Sequence, residues 1–580
     1  MKSNRKSISR RDFLKGASAG AVGVATIGIL GGCAPKVGTP VPEVTEAPSP
    51  IGAPSSEAWY GTAPEIADSE IVETLETEIL ICGAGHAGMV AALAAADQGA
   101  KTLVIEKNPS FGVLRSWLGV VGSKAQNAAG VKIDRNEIVQ DLARYGSNYV
   151  DQKLIQVWAD ESGEAIDWLA EKLAEYKVTH VSEYDIGSGY AGIYKCWPTH
   201  TKFLVPPKEG EPPGLPDIRT PLTDKAISLG AEFKFSTPLV KFIRENEGKG
   251  KVSGVVAKNA EGKYIRINAS KAVLLCTGGY ADDADLMARL NPSAVKVTTM
   301  TTAYPGTKGE GIKAAIWAGG RKDTHAAAML FNRGFVAPGT KAGLPFAIAM
   351  GIFDGINIGS QPFLKVNMDG KRFCSESVPY DYVIYPCENE KNGVLAMIWD
   401  ANYWQNIESF HTIGCSRMVP SASEPPTGEG MGPGYVEGFI GEKMGAGIIQ
   451  QANTIEELAE KLLIPPENLK ATVEKYNAMA AAGKDDEFGK DAKDLIAVET
   501  PPFFGAIIGG QLLTTMDGVK INTDMQVLDT DNNVIEGLYA AGDVAGGFFA
   551  HNYPELAVGV AAGKSLTFSR HAVLHCLGKL

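Results

Sequence analysis

The sequence predicts an α/β fold organised around a Rossmann-type dinucleotide-binding sheet, and three features carry that prediction. An apolar stretch, Thr77-Glu78-Ile79-Leu80-Ile81-Cys82, runs into Gly83-Ala84-Gly85-His86-Ala87-Gly88 and an alanine-rich segment over 89–96. A second apolar stretch, Ala272-Val273-Leu274-Leu275-Cys276, ends in Thr277-Gly278-Gly279. A third, from Val534 to Ala541, ends in Gly542-Asp543.

The first feature is the most specific. A bare GxGxxG is weak evidence, but here a strand, the glycine turn, a helix, a second strand at Thr102-Leu103-Val104-Ile105 and an acid, Glu106, follow within about thirty residues. Gly83 permits a tight turn, Gly85 lets the backbone approach a pyrophosphate, and Gly88 lets helix and strand pack closely. The helix N-terminus faces the phosphates, and Glu106 is positioned to accept hydrogen bonds from ribose hydroxyls. His86 reads as a spacer within the turn rather than a base.

The chain is 580 residues long, 44% hydrophobic and 21% charged, which suits more than one domain with a sizeable core. The net charge is -12, and beyond the N-terminus there is no lysine/arginine cluster, which argues against a nucleic-acid partner. Eight cysteines form no C-x-x-C, so the sequence offers no haem attachment site, no iron–sulfur pattern and no metal site.

The N-terminus reads as an address. Ser9-Arg10-Arg11-Asp12-Phe13-Leu14-Lys15 matches a twin-arginine export signal, and the weakly apolar run from Gly16 to Leu30 is shorter than a membrane span. Leu30-Gly31-Gly32-Cys33 resembles a lipobox, with Cys33 the lipidated residue; a plain signal peptide with an incidental cysteine is the alternative. The Pro-, Thr- and Ser-rich residues after it read as a flexible tether. The expected organisation is therefore a signal over 1–33 and a linker over 34–73, with export to the cell envelope and a lipid anchor.

The Thr277-Gly278-Gly279 and Gly542-Asp543 segments resemble the middle and last FAD motifs of the glutathione-reductase-type superfamily, which implies FAD rather than NAD. Other segments narrow the resemblance: Thr307-Lys308-Gly309-Glu310-Gly311, Val366-Asn367-Met368-Asp369-Gly370-Lys371-Arg372-Phe373, Glu474-Lys475-Tyr476-Asn477 and Asp485-Asp486-Glu487-Phe488-Gly489. Together they resemble the fumarate reductase/succinate dehydrogenase flavoprotein family, in its soluble branch. That resemblance implies a glutathione-reductase-like FAD domain in two parts, 74–336 and 512–580, with an inserted α+β capping domain over 337–511. It also implies FAD contacts at Gly83, Ala84, Gly85, His86, Ala87, Gly88, Glu106, Lys107, Ser116, Val240, Thr277, Gly278, Gly542, Asp543 and Val558. There is no histidine at 111–118 for covalent attachment, so the expected FAD is non-covalent.

Fumarate reducers of this family bind carboxylates with arginine and histidine. Here Tyr380 follows Glu376-Ser377-Val378-Pro379, Thr514-Thr515-Met516-Asp517-Gly518 stands where the family has His-Thr-Met-Gly-Gly, and His551-Asn552-Tyr553-Pro554 stands where it has Asn-Arg-Leu-Gly. A dianion calls for guanidinium groups, and these three positions offer none. The same runs resemble the ES-x-PY and H-x-YP segments of 3-ketosteroid dehydrogenases. Carried over, Tyr380 transfers a proton beside a carbonyl, while Tyr553 and the N–H near Ala557 polarise the carbonyl oxygen. Glu555-Leu556 departs from the glycine-rich run those enzymes have, and Glu555 reads as a carboxylate at a helix start.

The expected activity is an FAD-dependent oxidoreductase (EC 1.3 type) reducing an activated C=C bond, with electrons from a separate cytochrome or quinol-linked partner. A ketone or ketosteroid dehydrogenase, a fumarate- or acrylate-type reductase, and a non-catalytic FAD electron-carrier lipoprotein are the alternatives.

Overall fold

The strand leading into the glycine turn is longer than its apolar core: it spans Ile71–Cys82 and is mostly buried from Thr77 onward. In this computed structural model, which describes residues 58–580 apart from 113, 184–193, 207–216, 349–356, 411, 413–415, 417 and 419–431, it lies mid-sheet. The twin-arginine motif and Cys33 lie outside the described residues. Thr102–Ile105 pairs with it on one side and Tyr264–Leu275 on the other, both parallel. Glu232–Lys234 and Val534–Ala540 extend the sheet outward in parallel on those two sides. Strands covered on both faces read as unbroken apolar runs, which is why four of these were legible in sequence. The order reverses between Ile71–Cys82 and Tyr264–Leu275, and the carboxyl ends of strands at such a switch point form the crevice where ligands bind.

A second sheet of seven strands is built around Phe503–Thr515. Ala328–Val336, Leu395–Trp399 and Ile449–Ala452 pair with it antiparallel, and Thr298–Thr301 in parallel. The boundary expected at 511/512 therefore falls inside this strand, and the one at 336/337 follows a strand of the same sheet. One 13-residue strand is long enough to pair with Leu395–Trp399 and Ile449–Ala452 at its start and with Thr298–Thr301 and Ala328–Val336 at its end. The tether is likewise shorter than 34–73: Trp317 Nε1 donates to the Tyr60 carbonyl at 3.1 Å and Lys241 Nζ to that of Pro64 at 2.9 Å.

The last helix, expected to start near Glu555, spans Val560–Cys576. Two local features delay it. The Ala557 N–H closes a turn on the Pro554 carbonyl at 3.0 Å, and Gly559 takes a left-handed conformation, φ 75°, as N-cap. Among the described residues, no helix is long and apolar enough to cross a membrane.

The segments around Arg372 and Asp485 share a charged core. Arg372 makes paired hydrogen bonds to Glu376 (3.0 and 2.8 Å) and to Asp485 (3.0 and 2.8 Å), all buried, and Lys490 Nζ donates to Tyr476 at 2.7 Å. Removing one partner from such a cluster leaves uncompensated buried charge. Arg372→Leu is expected to lower stability by about 3–5 kcal/mol, read as a shift of the urea unfolding midpoint; a change within about 0.5 kcal/mol, typical of a surface substitution, would count against a structural role for the cluster.

Candidate active site

The three glycine-bearing turns converge at the switch point. Gly83, at φ 109°, packs so closely on the next strand that a Cβ would collide with the Cys276 carbonyl oxygen. A Cβ on Gly88 would collide with the Gly83 carbonyl in the same way. Gly542 lies over Ala87, and the Ala541 N–H donates to Leu275 at 3.0 Å. Gly85 is different: nothing stands within 4 Å of where its Cβ would be. That open space, at the start of the helix His86–Asp97, is the cradle a pyrophosphate requires. Thr277 Oγ1 is buried with no hydrogen-bond partner among the described residues, a second group suited to a ligand. The residues present fit FAD.

The other expected cofactor residues surround this cradle. Glu106 is buried, and its carboxylate already accepts the Ala84 N–H (2.8 Å) and the Asn108 N–H (2.9 Å), so it also braces the glycine turn. Lys107 pairs with Glu310 at 2.7 Å and donates to the Gly306 carbonyl, tying the sugar side to the Thr307–Gly311 segment. The Thr237 N–H donates to the Glu106 carbonyl at 2.8 Å, which brings the half-buried strand of Val240 alongside. His86 Nδ1 accepts the Arg115 N–H at 3.3 Å; burial, with Arg115 beside it, lowers its pKa to about 4 and keeps the ring neutral. Ser116 is buried, its Oγ accepting the Ile218 N–H at 3.3 Å. Asp543 accepts the Thr514 hydroxyl at 2.9 Å, so Thr514 is turned toward the cofactor turn. Val558 is buried, and its carbonyl accepts the Thr199 hydroxyl at 2.9 Å.

The expected reaction residues lie on segments that meet at Glu555. Tyr380 is 1% exposed, opens the short helix Tyr380–Ile384, and donates its N–H to Glu555 Oε2 at 3.1 Å. Glu555, fully buried, also receives the Ser416 hydroxyl on Oε1. It is thus not a helix-start carboxylate but a clasp between the stretch before the last helix and the segments of Tyr380 and Ser416. Tyr553, two residues before it, is 3% exposed and faces Phe549. The Ala557 N–H does not project into the site as expected, because it is bonded to Pro554.

Three groups were missed or given another role in the sequence: Asp381, Glu555 and Arg333. Asp381, fully buried, accepts the Tyr145 hydroxyl at 2.6 Å. Burial, reinforced by Glu555, pushes Asp381 up to about 8, and burial pushes Glu555 up to about 7 against the pull of Ser416, the Tyr380 N–H and Arg333. Arg333 is the third: buried on Ala328–Val336, its guanidinium lies 4.5 Å from the Phe331 ring centroid, and that ring meets Tyr380 edge-on at 4.9 Å. A guanidinium is therefore present after all, brought from a strand that the comparison of three replaced positions did not include. Its signal was a lone arginine inside an apolar run, Ala328-Met329-Leu330-Phe331-Asn332-Arg333. Among the described residues, no group of three acidic, histidine or cysteine side chains is arranged to hold a metal ion.

The FAD binding domain family model matches residues 78–560, and the chain belongs to that family. It is 28% identical to the vinyl phenol reductase of Lactiplantibacillus plantarum over 85% of this chain and 96% of that protein. It is 26% identical to a cytochrome-type fumarate reductase of Shewanella frigidimarina over 90% of this chain and 82% of that one. Among solved structures, the 3-ketosteroid Δ1-dehydrogenase of Sterolibacterium denitrificans superposes with a TM-score of 0.64 at 18% identity, covering 87% of this chain and all of that one, a likeness of fold. The chain is an FAD-dependent oxidoreductase.

The two raised carboxyls give stability a definite pH dependence. Their folded values exceed the ordinary carboxyl range near 4, so these two groups hold more protons in the folded chain than in the unfolded chain between about 4 and 8, and the stability they contribute is lost as pH rises through that window. Burial lowers His86 and His180 to about 4 and Lys365 to about 7, and these groups act in the opposite sense. The contribution of Asp381 is therefore read as a difference: between pH 5 and about 7 the gap between the denaturation midpoints of the wild type and Asp381→Asn is expected to change with pH, and parallel curves would show that Asp381 titrates normally.

Proposed function

We propose that this family member reduces the C=C bond of a neutral alkene activated by a conjugated carbonyl or phenol-type group, using electrons from a separate cytochrome or quinol-linked protein outside the cytoplasm. The observation that carries the reading is the meeting of the Tyr380 and Tyr553 segments at one buried carboxyl, on the stretch between the Gly542-Asp543 turn and the last helix. FAD, when bound, supplies two-electron hydride chemistry. The chain's own part is the proton and the oxygen. Reduction adds a hydride to one alkene carbon and a proton to its neighbour; the Tyr380 hydroxyl gives that proton, and Tyr553 donates a hydrogen bond to the substrate oxygen on which charge develops. Burial of both tyrosines supports this, since neutral donors gain strength where water is excluded. The vinyl phenol reductase relative, aligned over almost its whole length, supports a neutral alkene. The twin-arginine motif and Cys33 support an enzyme anchored in the cell envelope.

Arg333 favours a second reading, in which the alkene carries a carboxylate, and the fumarate reductase relative points the same way. One experiment separates the two. The enzyme is reduced anaerobically and mixed with enones, vinyl phenols, acrylate and fumarate while flavin reoxidation is followed. Neutral alkenes should reoxidise it fastest, and faster reoxidation by fumarate would decide for the second reading. Tyr380→Phe should slow turnover by roughly 10²–10⁴-fold, and an unchanged rate would remove Tyr380 from the chemistry.

A further inference from the structure

Proton transfer by Tyr380 needs no second acid against its main chain, yet Glu555 brings one there at zero exposure. Two donors meet its carboxyl, and a cation stands near. The Tyr380 N–H reaches Oε2 at 3.1 Å and the Ser416 hydroxyl reaches Oε1, while Arg333, on Ala328–Val336, is close enough for its charge to act on the carboxyl. Arg333 is held in place by its Nε donating to Ser360 Oγ at 3.0 Å and by the Phe331 ring that also meets Tyr380. A main-chain N–H, a hydroxyl and a guanidinium around a desolvated point make the donor set with which proteins bind a carboxylate. Here the carboxylate comes from the chain itself.

We propose that Glu555 is a specificity-determining residue: its carboxyl fills the anion subsite beside Tyr380 from within and keeps carboxylate-bearing alkenes out. The inference rests on the reading of Tyr380 as the reaction centre. It accounts for how a site containing a buried arginine serves neutral substrates. The charged and titratable groups around the subsite are Arg333 from Ala328–Val336, Asp381 and Tyr380 from Tyr380–Ile384, and Tyr145 from the helix Arg135–Tyr145. Above pH 7, where Glu555 is mostly ionised, a substrate carboxylate would bring a second negative charge to one guanidinium, and like charges brought together at a desolvated site repel strongly. It would also have to displace Glu555 from two hydrogen bonds and leave that buried carboxyl without them.

The test compares acrylate with acrylamide, which share the alkene and differ in charge. Each is titrated into the full, FAD-loaded oxidised protein, and Kd is read from the change in flavin absorbance. Glu555→Ala, which removes the charge and opens the space, should bind acrylate at least tenfold tighter than the wild type while acrylamide changes less than threefold. An unchanged acrylate Kd, or equal shifts for both ligands, would overturn the proposal. Should the alanine variant fail to retain FAD, Glu555→Gln keeps the bulk and removes the charge; a threefold or greater tightening for acrylate alone supports the proposal, and no tightening overturns it. Binding to the oxidised protein does not require proton transfer, so a failed Tyr380→Phe test would remove the catalytic reading and leave this readout intact.

Discussion

A carboxyl with no access to water has to be met by donors, and the way Glu555 is met shapes everything around the reaction centre. Its partners are the Tyr380 N–H and the Ser416 hydroxyl, 175 and 139 residues earlier in the chain, while Glu555 itself lies just before the last helix. To point the side chain that way, residues 554–557 form a turn instead of a first helical turn, and Val560–Cys576 starts late. The late start places Gly559 where the strand Trp117–Gly119 docks, with the Gly119 N–H on the Gly559 carbonyl at 2.8 Å. Desolvating one acid thus fixes the Tyr380 main chain, the Ser416 side chain and the seat of the last helix together.

The cofactor cradle depends on a different constraint, the close approach of backbones. Parallel strands end side by side, and the turns leaving them crowd into one place; side chains at Gly83 or Gly88 would strike neighbouring carbonyls. Gly85 alone keeps free space, so three glycines in one motif do two jobs. Glu106 locks the arrangement by accepting the N–H of Ala84 from inside the turn. A residue assigned to ligand recognition on sequence grounds is therefore also part of the scaffold, as buried carboxylates accepting main-chain N–H groups often are.

What was legible in the sequence followed from periodicity and from backbone necessity. Ile79–Leu80–Ile81 and Leu103–Val104–Ile105 are buried on both faces and read as strands because nothing polar interrupts them. Gly83 and Gly88 were legible because no other residue fits. The boundary that the family resemblance implied falls inside the strand Phe503–Thr515, whose glycines, Gly505, Gly509 and Gly510, let neighbouring backbones and Thr299 approach closely in the fold. Arg333 and Asp381 were missed for another reason. Each acquires its meaning from a partner away from its own run, Ser360 across 27 residues for one and Tyr145 across 236 for the other, and such pairing leaves no local pattern.

The ionic core around Arg372 and Asp485 bears on the same centre. Arg372 clamps Glu376 four residues before Tyr380, and the Ser377 hydroxyl donates to Asp494 at 2.8 Å, so the approach to Tyr380 is held by directional bonds rather than by apolar packing alone. Hydrophobic residues of similar volume would often stabilise such a core as well or better, so the charges are poorly explained as a source of stability. Their geometry is more informative. Paired Arg–carboxylate bonds fix orientation as well as distance, and the loop they orient ends at Pro379, whose extended backbone aims the Tyr380 N–H at Glu555. Rigidity on the Tyr380 side and a buried acid before the last helix meet at one hydrogen bond, and that bond fixes where the Tyr380 side chain begins.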